Sequence, residues 1–202
     1  MILNDYKDQF IELLYKACIL DINNIRNVFN SESCVAYTII CDSAFVNFGT
    51  GMCTKKRLLD QTGELMTVLP QKWQNKDDTL QYVNTHASEW NYFNEHLYFK
   101  ELNDLADLIA NADCDGDLLG IYVKDDIGDD NAYNNFFINF ICEVITRLKS
   151  SNTFLDQPFQ KNLLLGLQFF NPTDVQQKIM LDISEKVNSP EWHKKMLEAY
   201  ST

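Results

Sequence analysis

Glycine and proline are scarce in this chain, seven and four among 202 residues. That excludes low-complexity sequence and long flexible linkers, which are rich in both. Basic residues are also in deficit, 17 against 29 acidic ones, for a formal charge of −12. A field of that sign repels phosphate backbones and anionic membranes and attracts cations. The few cations are dispersed, with no stripe of mixed basic and aromatic residues, so nucleic acid is not an expected partner. Long apolar runs are missing too. None approaches the ~18–20 residues of a spanning helix, so no membrane partner is expected. The opening residues, Met1 to Asp8, have no basic segment followed by an apolar stretch, and so do not read as a secretory signal. The six cysteines, Cys18, Cys34, Cys41, Cys53, Cys114 and Cys142, are scattered through the chain. Disulfide frameworks belong to small, loop-rich secreted chains, so free thiols and a cytoplasmic location are expected instead.

What is present is bulk for a core. Apolar residues make up 46% of the chain and aromatics 12%, with thirteen Phe, nine Tyr and three Trp. Residues 1–202 read as one globular domain. From about Asn4 to Phe29, Tyr6, Phe10, Leu13, Leu14, Ala17 and Cys18 recur at helical spacing, with a break expected at Asp21–Asn24. Cys34 to Cys41 is apolar on both alternating faces, as in a central strand, and Ala44 to Phe48 is expected to return beside it. Gly49-Thr50-Gly51 reads as a break, and Thr54 as the cap of a helix to about Leu65. Gln71 to Asn84 reads as a loop. A helix is expected from Ser88-Glu89-Trp90, broken near His96 and resuming to Ile109. Asp113 to Asp130 is an acid-rich connection around a short apolar stretch, Leu118 to Val123. Tyr133 to Lys149 is a strong helical pattern. Asn162 to Phe170 is a second central strand, followed by helices from Thr173 and from Ser189-Pro190. With helices outnumbering strands, the pattern predicts an α+β fold. Its sheet is small and mainly antiparallel, with strands near 34–41, 44–48 and 162–170, packed by several helices.

No chemical motif stands out. Zinc needs several ligands at short spacing, and there is neither a Cys-x-x-Cys nor a His-x-x-x-His. Asp113-Cys114-Asp115-Gly116-Asp117 has the look of a calcium loop, but Lys124 stands where the closing Glu should be, and Gly116 comes too early. No metal and no cofactor are expected. There is no Gly-x-Ser-x-Gly, and no catalytic residue is assigned. The most suggestive local feature is Gly49, Gly51, Thr54, Lys55 and Lys56. Small residues ahead of a helix start, followed by cations, are a place for an anion.

Three pieces, in order, resemble a family of uncharacterised bacterial proteins, domain of unknown function family 4303. They are the first helix leading into Cys34–Asp42 and the Thr54 helix; Ser88-Glu89-Trp90-Asn91-Tyr92; and the helix 136–148 followed by Leu163-Leu164-Leu165-Gly166-Leu167. Thr85-His86-Ala87 departs from the lead the family carries before its Glu-Trp pair. The resemblance implies a compact cytoplasmic domain and carries over no catalytic residues. Small acidic α+β proteins of this sort resemble, by analogy, immunity partners of bacterial toxins.

Two function classes follow. One is a non-catalytic protein-binding module, an immunity protein holding a basic toxin through Asp113, Asp115, Asp117, Asp125, Asp126, Asp129 and Asp130. The other is a small-molecule or anion-binding protein or enzyme using the Gly49–Arg57 turn, with Trp90 or Tyr92 lining its pocket. The absence of a catalytic motif tips the reading toward the first.

Overall fold

The apolar stripe of the first segment forms α1 (Lys7–Val28), which runs unbroken through the expected interruption. Asp21 does not stop the helix because its carboxylate is buried and bonded by side chains of other elements. The computed structural model describes residues 6–42, 44–95, 97–114 and 132–200. After α1 come β1 (Cys34–Cys41), β2 (Phe48–Thr54), α2 (Lys55–Leu65), α3 (Lys76–Thr85), β3 (Tyr92–Asn94), α4 (Lys100–Cys114), α5 (Ala132–Ser150), β4 (Phe159–Gln168), α6 (Asp174–Val187) and α7 (Pro190–Tyr200).

The fold is α+β, as the pattern predicts, with one four-stranded sheet in the order β3-β2-β1-β4. The sheet is mixed. β1 pairs antiparallel with β2, and β2 with β3, while β4 lies parallel to β1. Register puts Tyr37 and Ile39 on one face with Thr50 and Met52, and Thr38 and Ile40 on the other with Gly51 and Gly49. Both faces are covered. On the first, Phe10 of α1 and Phe136, Phe137 and Phe140 of α5 meet Phe45 and Phe48 in one aromatic cluster. On the second, Gln168 of β4 donates to the Thr85 carbonyl of α3 at 3.0 Å and accepts from the Tyr200 hydroxyl of α7 at 3.2 Å. The edge of β4 is closed at Leu165, whose N–H and C=O both bond the Asn188 side chain, at 3.0 and 2.7 Å. No helix among the described residues is long and apolar enough to cross a membrane.

Three further expectations are corrected. The strand after β1 is Phe48–Thr54, so Gly49 and Gly51 belong to β2 and do not break the chain. Both glycines answer close approaches across the sheet. A Cβ at Gly49 would sit 2.6 Å from the Asn94 carbonyl oxygen, and one at Gly51 would sit 3.2 Å from the Trp90 ring. Gly49→Ala is therefore expected to push β3 off the sheet and cost about 1–3 kcal/mol, read as a lower urea midpoint. Next, the helix expected from Ser88 is replaced by a single turn at Ala87–Glu89 and then β3. Trp90 is buried, with its indole N–H donating to the Val83 carbonyl at 2.8 Å, which anchors the chain for an extended run. Finally, the loop expected over Gln71–Asn84 contains α3. Its start is fixed by Asn75, whose side chain accepts from the Asp77 and Asp78 N–H groups at 3.1 and 3.0 Å, and both acids favour the first turn.

Candidate functional site

β1 and β4 are parallel neighbours, so they end at the same edge of the sheet, the usual place for a ligand crevice in such arrangements. A cleft of about 520 Å³ lies there. Ile40, Cys41 and Phe169 form its apolar side, and Asp42, Asn47 and Glu95 its polar side. Asp42 follows the last residue of β1 and is held by the turn it organises. It accepts from the Val46 N–H at 3.0 Å and from the Asn47 side-chain amide at 2.6 Å. On the β4 side, Phe170 and Asn171 lead into α6. Asn171 has φ 50°, a left-handed conformation that asparagine adopts more readily than most residues. It turns the chain so that Thr173 caps α6. Thr173 and Gln176 form a reciprocal capping box. The helix start at the cleft is thus closed by its own side chains, and Asp42 and Glu95 are the acidic residues among the described lining. At the lip, Phe170 is 44% exposed and packs edge-on against Phe93, with ring centroids 5.4 Å apart.

A second polar cluster is buried between α1 and the sheet. The Asp21 carboxylate accepts from the Thr50 hydroxyl at 2.6 Å, the Tyr92 hydroxyl at 2.5 Å and the Asn94 amide at 2.6 Å. Burial raises its pKa above the ordinary carboxyl value, partly offset by those hydrogen bonds. The cluster ties three elements together.

The buried thiols and the buried histidine are held in their neutral forms. Burial pushes the Cys18 and Cys53 thiols up to about 12, and raises Cys34 and Cys41 well above the usual thiol value. The His86 ring lies against Tyr82, with centroids 3.9 Å apart, and its Nδ1–H donates to the Tyr82 carbonyl at 2.8 Å. Burial lowers its pKa to about 4. Nucleophilic cysteines need the opposite shift.

No family model, curated protein or solved structure matches the chain. Among the described residues, no group of three His, Cys, Asp or Glu is placed to hold a metal ion.

None of the described residues singled out from sequence lines the cleft, although Gly49 sits beside it, paired with Ile40. Thr54 does cap α2, accepting from the Arg57 N–H at 3.2 Å. Lys55 and Lys56 are exposed on its first turn. Gly51 is paired on both sides, with Thr38 and with Phe93. The Lys55 N–H donates to the Ser33 carbonyl at 2.7 Å, so the segment is a strand and a capped helix start in place of an open turn. Trp90 is buried against Gly51, and Tyr92 is engaged with Asp21. Asp113 falls in the last turn of α4, with its side chain outside the described residues. Asp115, Asp117, Asp125, Asp126, Asp129 and Asp130 lie outside them altogether. The cleft residues carried no local signal, since Asp42 reads as a turn acid and Phe170 as the end of a strand.

Proposed function

We propose that the chain is a non-catalytic protein-binding module that holds a basic partner through the charge of its exterior, in the manner of an immunity protein that masks a toxin. The observation that carries this reading is the contrast between inside and outside. Burial keeps the interior thiols and His86 in their neutral forms, whereas the chain as a whole carries a formal −12. Groups poised for chemistry are usually shifted toward reactive forms. Here the shifts favour an inert body, and the charge that remains steers and orients a cationic surface. Toxins that grip nucleic acid are basic where they do so, and an acidic body fits over such a face.

Co-expression with the products of adjacent genes tests this reading. The expected outcome is that one such product, basic and toxic when expressed alone, is tolerated when this chain is co-expressed and forms a complex with it on gel filtration. If no adjacent product is bound and no toxicity is relieved, the reading is wrong.

Small-molecule binding is a second reading, favoured by the cleft at the ends of β1 and β4. A thermal-shift screen over cationic metabolites separates the two.

A further inference from the structure

We propose that this cleft is a guanidinium pocket, taking one arginine side chain of the basic partner. The inference rests on the protein-binding reading above and supplies its point of contact. The cavity, about 520 Å³, falls within the ~300–1,000 Å³ of typical ligand sites. Two carboxylates face it, and none of its described lining residues is a lysine, arginine or histidine. Among the described residues, Asp42 is bonded only by neutral donors, the Val46 N–H, the Asn47 amide and the Cys41 thiol, so its charge is not cancelled there. The positive end of α6 also faces the cleft, but its capping box and Asp174 in its first turn offset it.

The aromatic lip selects the kind of cation. Phe170 is 44% exposed and braced from the side by Phe93. A planar guanidinium stacks on such a ring while its forked donors reach carboxylate and amide oxygens. An ammonium is a compact, strongly hydrated point charge and does so less well. The alkyl part of the side chain has Ile40 and Phe169 to lie against.

The test titrates the full isotope-labelled chain with N-acetylarginine amide and, separately, with N-acetyl-lysine amide. NMR follows the side-chain amides of Asn47, Asn171 and Gln176. The arginine probe is expected to shift these resonances saturably, with the lysine probe about fivefold weaker or more. Asp42→Asn and Phe170→Ala are each expected to raise the arginine Kd about fivefold. Their unchanged spectra elsewhere will show that both variants fold. The absence of a saturable shift at the three amides, or an equal response in both variants, overturns the pocket. The complex with a basic partner gives a separate readout. If that complex is equally tight with both variants, the pocket is wrong while the protein-binding reading stands. If no basic partner binds at all, the protein-binding reading falls and the probe titration alone decides the pocket.

Discussion

Asp21→Ala is expected to destabilise the fold by about 3–5 kcal/mol, because three buried or half-buried donors lose their shared acceptor at once. Thr50 and Asn94 are buried, and the Tyr92 hydroxyl reaches the carboxylate from β3, so water cannot readily replace what alanine removes. Asp21→Asn keeps the volume and one acceptor oxygen and should cost less. The pair also has a pH signature. Burial raises the folded pKa of Asp21 above its ordinary value. Between the ordinary and the raised value, the folded chain holds a proton that the unfolded chain has released, so stability falls as pH rises through that window. The contribution is full below the ordinary carboxyl pKa, is lost as pH climbs through the raised one, and is flat beyond it. Urea unfolding across a pH series should therefore show wild type losing stability relative to Asp21→Asn as pH rises. A difference that grows with pH would contradict the assignment.

Phe137→Ala is expected to cost a similar ~3–5 kcal/mol, from lost burial together with a cavity that its neighbours cannot close. The ring is fully buried. It stacks on Phe45 at 4.8 Å and 15°, and meets Phe10 edge-on at 5.6 Å and Phe48 at 5.9 Å. These partners come from α1, β2 and the turn between β1 and β2, so one truncation loosens several elements together. Phe137→Leu should lose less than half as much, since most of the volume is kept. Phe93→Ala is the surface comparison, because Phe93 is 38% exposed. Thermal and urea unfolding rank the three variants. A Phe137→Ala loss no greater than that of Phe93→Ala would mean that the aromatic cluster is not the centre of the core.

Local chemistry was the legible part of the fold. The all-buried pattern of Cys34–Cys41 is that of a strand covered on both faces, and it is β1. Thr54 and Ser189 cap helices because their hydroxyls accept from N–H groups three residues on, at 3.2 and 3.3 Å. Features set by distant partners were not legible. Gly49 and Gly51 look like a turn until the chain from Trp90 to Asn94 is known to cross them. Tyr92–Asn94 has no strand pattern of its own length, and pairing with β2 makes it one. The parallel placement of β4 depends on a pairing across more than a hundred residues of chain. Two local signals in the sequence do point to structure. Asn75 followed by Asp77-Asp78 is a helix start. Asp21 sits on the same stripe as Ala17, Cys18, Ile22 and Ile25, which marks a buried carboxylate in need of donors. The cleft was not legible, because Asp42, Glu95 and Phe170 converge only through the topology of the sheet.

Affinity for the basic product of an adjacent gene, measured across a salt series, bears most directly on whether the acidic exterior does the binding. The expected result is a complex that is tight at low salt and weakens steadily as salt screens the opposed charges, mainly through a slower association rate. An affinity indifferent to salt, or no complex with any such product even at low salt, would contradict it.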